Sequence, residues 1–163
     1  MPAPDTTMRV VAAGPERDAY LPLLFLADES AAQVRSYYQQ GTLFALDDPT
    51  GRPLGMILAI DEPDGSVELK AVAVDEAFHG QGVGTRMLRT VLAELRAQGV
   101  ARVVVGTSSA GIGQLAYYQK AGFRFWKVER DFFNPDRGYP ERMEDNGIPL
   151  RDMVWMDQEL GPH

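Results

Sequence analysis

The sequence has no cysteine and only two histidines, His79 and the C-terminal His163. The first absence removes disulfide frameworks, zinc ribbons, iron–sulfur clusters and cysteine nucleophiles, and makes the cytoplasm the expected location. The second leaves no HExxH helix and no clustered imidazoles; with no calcium-loop spacing either, no metal is expected. Excess positive charge is missing as well. Lys and Arg number 16 against 23 Asp and Glu, and the resulting net charge of −7 repels phosphate backbones and anionic lipid alike. Neither nucleic acid nor membrane is expected as a partner. Leu21–Ala27, the longest apolar run near the N-terminus, contains Pro22 and is far shorter than the ~20 residues of a membrane span. The opening MPAPDTTMRVVAAG carries neither the basic leader nor the apolar core of a signal peptide.

What the chain does have is enough for one domain. At 163 residues and 45% apolar composition it can bury roughly two-thirds of its unfolded surface without staples. Residues 1–163 are therefore read as a single domain. Periodicity gives a strand over 8–12, a helix over 15–27 with Pro15 in its first turn and a bend at Pro22, and a second helix over 31–39, capped by Ser30 and stopped by Gly41. Apolar runs over 42–47, 53–61 and 66–74, separated by DDPTGR and EPDG, form an antiparallel meander. A glycine-rich loop then opens a helix over 85–98, in which Met87, Leu88, Val91, Leu92 and Leu95 repeat at helical spacing. A strand over 102–105, a short helix over 113–121, a strand over 123–131, an irregular segment and a last strand over 150–158 complete an α+β order.

The informative junction is His79-Gly80-Gln81-Gly82-Val83-Gly84, between a strand and a helix. Glycines let the main chain approach a ligand closely, and free N–H groups at a helix start favour a phosphate or pyrophosphate. An unliganded tight turn is the plainer reading of the same residues. The spacing G-x-G-x-G is not the dinucleotide G-x-G-x-x-G, Thr85 and Arg86 stand where its last glycine belongs, and no Gly-Lys-Ser/Thr triplet makes a Walker A loop.

The segment AVAVDEAFHGQGVG resembles the signature Q/R-x-x-G-x-G/A of the GCN5-related N-acetyltransferases (GNAT), with His79 where that family usually has Gln or Arg. LAYYQKAGF, residues 115–123, is similar to the family's Y-x-x-x-G-F segment. The likeness is most specific over residues 68–123 and extends to residues 1–46 only in element order. It implies a mixed, mostly antiparallel sheet of six to seven strands flanked by about four helices, with a cofactor cleft between splayed central strands.

The resemblance further implies acetyl-CoA as cosubstrate and transfer of its acetyl group to a primary amine. Backbone groups of Val72, Ala73 and Val74 would pair with the pantetheine arm as an added strand would, and a main-chain N–H there would polarise the thioester carbonyl. His79 and the amides of Gly80, Gln81, Gly82, Val83, Gly84 and Thr85 would hold the pyrophosphate, with Arg86 and Arg89 meeting further phosphate charge. The family's frequent Asn in the later loop is missing from TSSAGIGQL, so Ser109 or Gln114 would take its place. Tyr118 is the expected general acid, or else a core aromatic; Tyr117, about 100° round the helix, is expected to pack. Glu68 is the expected base, acting through a water, or else a surface glutamate paired with Lys70. The acidic residues Glu129, Asp131, Asp136, Glu141, Glu144, Asp145 and Asp152 suggest a cationic acceptor, small molecule or peptide, with residues 133–149 covering its channel, or else are solvated loop charges. A homodimer is compatible with this reading. A catalytically silent acyl-CoA-binding or sensing module would use the same cradle without turnover.

Overall fold

The computed structural model describes residues 8–161; the segment read for a leader, through Thr7, and His163 lie outside them. Strand β1 (Met8–Val11) leads through a 3-10 turn (Pro15–Tyr20) into α1 (Leu21–Ala27) and α2 (Ala31–Tyr37). Strands β2 (Thr42–Asp47), β3 (Pro53–Asp61) and β4 (Val67–Val74) follow, then α3 (Val83–Ala97), β5 (Arg102–Ser108), α4 (Ile112–Lys120) and β6 (Arg124–Glu129). A small hairpin, β7 (Glu144–Asp145) and β8 (Ile148–Pro149), precedes β9 (Met153–Glu159).

The seven-stranded sheet runs β1-β2-β3-β4-β5-β9-β6. All its pairings are antiparallel except β4 with β5. Helix α3 supplies that one crossover, as parallel neighbours require. Alternation along the strands feeds two cores. Ile57 and Ala59 of β3 face α3, where Met87, Leu88, Val91 and Leu95 are buried, whereas Met56 and Leu58 face Leu23, Leu24 and Val34 of α1 and α2. Truncating a residue such as Leu88 to Ala in such a packed stripe costs ~2–5 kcal/mol. Gly55 lets α3 lie close, because a Cβ there would meet Met87 Sδ at 3.0 Å.

Several expected boundaries move for physical reasons. The single helix expected over 15–27 divides, and Pro22 stands at the start of α1 rather than at a bend within it. Its missing N–H is harmless there. β5 runs on to Ser108, beyond the expected end at 105, because β9 pairs with it throughout and lays Met153 and Trp155 over Gly106, where a Cβ would sit 2.9 Å from both side chains. β9 starts at Met153 rather than 150, since Leu150 N donates to Met143 O (2.8 Å) and closes the β7–β8 hairpin instead. Buried Arg17 had no sequence signal. Its guanidinium donates to the carbonyls of Val11, Tyr38, Gln40 and Gly41, tying the helical pair to the first sheet strands.

Candidate active site

β4 and β5 are in register only at Val67–Val103 and Glu68–Val104. Beyond Glu68 they part, and a V-shaped cleft opens between β4 and the Gly106-Thr107-Ser108 end of β5. On its other edge β4 keeps its bonds to β3, apart from a register shift that leaves Lys70 as an extra, bulged residue. The sheet therefore carries free strand edges at its centre, where an extended ligand can be added as a strand.

One arm of the cleft runs along Val72, Ala73 and Val74 to His79, Gly80, Gly82, Val83, Gly84 and Thr85. Gly80 and Gly82 have positive φ of 78° and 74°, and a Cβ at either would stand in open space. Only glycine adopts this turn without strain while leaving that space to a ligand. The first bond of α3 is from Arg86 N to Gly82 O (3.1 Å), and among the described residues no backbone acceptor serves the amides from Gly80 to Thr85. These free donors fit a pyrophosphate. His79 Nε2–H donates to Val74 O (2.8 Å), so its ring braces the loop against β4 while lining the arm. Gln81 lies outside the lining and donates to Ala77 O (3.3 Å). Arg89 faces a separate basic groove with Arg96 and Lys120, and Arg86 is exposed.

Tyr117 packs against the core as expected, and it also makes a polar contact. Its hydroxyl donates to Gly84 O at 2.7 Å and lines the loop's arm, joining α4 to the start of α3. Gln114 lines both arms, whereas Ser109 lines neither and donates its N–H to Asp152 O (2.9 Å). Of the two proposed substitutes for an asparagine, only Gln114 reaches the cleft.

The second arm meets the first at Val72 and Gln114 and contains both Glu68 and Tyr118. Tyr118 is 6% exposed, with Phe123 edge-on at 5.7 Å between centroids. Gln158 Oε1 is the one fully enclosed side-chain polar atom without a partner among the described residues, so the Tyr118 hydroxyl is open to the cavity. Burial holds the phenol above its usual pKa of 10, keeping it protonated at neutral pH. Glu68 is 9% exposed at the vertex of the V. Burial raises its pKa above 4.5; nearby Glu62 adds to the rise and Lys70 opposes it. Glu68 and Lys70 form no salt bridge. The Lys70 ammonium sits 5.0 Å above the Tyr37 ring instead.

The acidic tail contributes less than its composition suggests. Only Asp145 of it reaches the cavity, while Glu129 pairs with Arg137 (3.1 Å) and Asp131 with Arg151 (3.5 Å). Besides Glu68, the other carboxylates on the wall are Asp28 and Glu29, from the α1–α2 junction. Asp28 is missed by sequence reasoning. It accepts from the hydroxyls of Tyr37 and Tyr139, both at 2.9 Å, and from Ser30 N at 3.0 Å. That hub draws the 132–149 segment over the cavity, where Phe132, Phe133 and Tyr139 form a roof. Its only local signal was its place two residues before the Ser30 cap of α2. Among the described residues no three acidic or imidazole side chains converge as metal ligands would, and no helix is long and apolar enough to cross a membrane.

Residues 13–123 match the family model for the acetyltransferase (GNAT) family. An uncharacterised N-acetyltransferase of Bacillus subtilis, YvbK, is 34% identical over 146 residues, covering 88% of this chain and 90% of the relative. Among solved structures, a GNAT family acetyltransferase from Elizabethkingia anophelis with acetyl-CoA bound superposes with a TM-score of 0.85 at 30% identity, over 95% of this chain and 98% of that one. A Bacillus subtilis acetyltransferase in complex with CoA does so with a TM-score of 0.81 at 29% identity, over 94% and 99%.

Proposed function

The chain belongs to the GNAT acetyltransferase family and is an acetyl-CoA-dependent N-acetyltransferase, and we propose that it acetylates a small cationic primary amine, free or on a peptide, with Glu68 as base and Tyr118 as acid. The observation that carries this reading is the position of Glu68. It is buried at the point where β4 and β5 separate, in one cavity with Tyr118, and that cavity meets the glycine-loop arm at Val72 and Gln114.

In this reading the loop amides hold the pyrophosphate, β4 holds the pantetheine arm, and a β4 N–H polarises the thioester carbonyl. The amine arrives as ammonium, drawn by Asp28, Glu29 and Asp145. Glu68 removes its proton through a water, since only the neutral amine has a lone pair to attack. Its raised pKa makes it a stronger base than an ordinary carboxylate. The amine nitrogen bonds to the carbonyl carbon, the C–S bond breaks, and Tyr118 gives its proton to the departing thiolate, whose thiol has a pKa of about 8.5; the second proton leaves the nitrogen as the amide forms and restores the Tyr118 phenol. The absence of cysteine fits a cytoplasmic enzyme.

Acetyl-CoA consumption across a panel of cationic, neutral and anionic amines tests the proposal. Turnover is expected to favour the cationic members and to rise with pH. Preference for a neutral or anionic acceptor would remove the carboxylate wall from the argument. Tight CoA binding without turnover of any amine would identify a silent binding module instead.

A further inference from the structure

Glu68 lines two cavities, of which acetyl transfer as proposed uses one. The second lies on the other side of the vertex, under the β3–β4 turn, with Glu62, Arg102, Trp126 and Trp155 beside Glu68 on its wall. The ladder explains why two glutamates meet there. Ile60 is in register with Glu68, and beyond the Asp61–Val67 pair Glu62 N donates to Ser66 O (2.9 Å). Two residues on from Ile60, Glu62 returns to the face that Glu68 occupies. It is the diagonal neighbour of Glu68 across the strands, at a separation that long side chains span.

The cations nearby are committed elsewhere. Arg102 is 2.9 Å from Asp157 and 3.9 Å from Asp64, and its guanidinium lies 4.3 Å from the Trp126 ring centroid. Lys127 stands over the Trp126 and Trp155 rings, and Lys70 over Tyr37. Among the described residues neither Glu62 nor Glu68 is in a salt bridge. In the acceptor cavity Asp28 and Glu29 face Glu68 from the α1–α2 junction, Tyr118 from α4 and Asp145 from the β7–β8 hairpin. Glu62 is nonetheless the acidic neighbour that acts on Glu68: to the effect of burial it adds a carboxyl–carboxyl hydrogen bond and like-charge repulsion, against the pull of Lys70.

We propose that Glu62 and Glu68 share one proton, and that Glu62 is a positioning residue that makes Glu68 a competent base before any amine arrives. The inference rests on the reading of Glu68 as base. Two carboxylates in contact relieve their repulsion by holding a proton between them, and they titrate as a unit. The proton that Glu68 takes from the ammonium through water is then held between the two carboxyl groups, and it leaves to solvent water before the next turnover.

Glu62→Gln removes the second carboxylate but keeps the main-chain bonds of residue 62 that hold the turn. Carboxyl carbon-13 titration of the ligand-free protein should show Glu68 titrating in two coupled steps in wild type, and in one step, lower by about one pH unit, in Glu62→Gln. The acid limb of kcat at saturating amine should move down with it, and the plateau should fall roughly threefold because a weaker base remains. Glu62→Asp should return the limb toward wild type. A single, unshifted Glu68 step in both proteins would overturn the proposal. So would a Glu62→Gln variant whose kcat falls equally at every pH, the mark of a purely structural role. An acid limb that survives Glu68→Gln would instead remove the base assignment and with it the role of Glu62, while the carboxyl titration would still decide whether the pair shares a proton.

Discussion

The two arms of the central cleft are built from different materials. The arm proposed to hold the donor is mainly main chain: the edge of β4, two glycines at positive φ, and amides without internal acceptors. The arm proposed for the acceptor is mainly side chains from distant parts of the chain, with Asp28 and Glu29 from the helical pair, Glu68 from β4, Tyr118 from α4 and a roof from 132–149. A backbone site depends on local conformation, so one short segment can specify it. A side-chain site depends on which elements the sheet brings together.

If that contrast is right, one substitution in the loop should do the most damage. Gly82→Val strains a positive-φ position and fills the open space above the amides. Loss of two or so charge-assisted hydrogen bonds should weaken CoA binding by ~10²-fold or more, measured by calorimetry on a variant with native circular dichroism. Undiminished affinity would move the phosphates elsewhere.

Adjacent tyrosines on α4 separate the two arms. Tyr118→Phe should lower kcat by ~10²-fold with little change in KM for acetyl-CoA. Tyr117→Phe removes only the bond to Gly84 O and should raise the KM for acetyl-CoA by ~2- to 10-fold with kcat preserved. Exchanged phenotypes would transfer the acid role to Tyr117.

The acceptor wall should respond to charge. Asp28→Asn keeps an acceptor oxygen for Tyr37 or Tyr139 but loses the charge, and should raise the KM for a cationic amine by roughly tenfold. Added salt should act in the same direction. Steady-state kinetics at two ionic strengths would show whether the wall is electrostatic.

The smallest effect expected concerns stability. Glu68 has a folded-state pKa above its unfolded 4.5, so the folded chain binds more protons between those values. Stability is therefore greatest below the lower value and declines as pH rises through the folded one. Glu68→Gln removes that penalty. Its melting temperature should exceed wild type by a few degrees at pH 8, on a scale of about 2–4 °C per kcal/mol for a domain this size, and match it near pH 4. Activity of the same variant should fall most on the acid side. A lower melting temperature at pH 8 would mean that the buried carboxylate stabilises the fold.

Much of the fold was legible because alternation and helical spacing are local. α3 was found from five apolar residues at helical spacing, and β2 and β3 from runs between turn residues. The misjudged boundaries lie where a neighbour overrides local preference. β5 continues through Gly106 because β9 pairs with it, and Tyr117 adds a hydrogen bond to its packing because the start of α3 lies beside it. Composition misled at the acidic tail, where neighbouring arginines satisfy Glu129 and Asp131. It gave no notice that Asp28 would join residues 111 positions apart, through the Tyr139 hydroxyl.

The amino-acid order by itself determined most of the secondary elements, the turn chemistry of the loop from His79 to Gly84, and the acidic, cysteine-free character of the chain. These follow from φ/ψ preference, side-chain spacing and formal charge, none of which needs a distant partner. Only the tertiary structure decided that β4 and β5 separate beyond Glu68, that Glu68 and Tyr118 face one cavity, and that Asp28 and Tyr139 close its rim. Those outcomes depend on strand order and on desolvation, which arise when elements far apart in the chain compete for the same buried space.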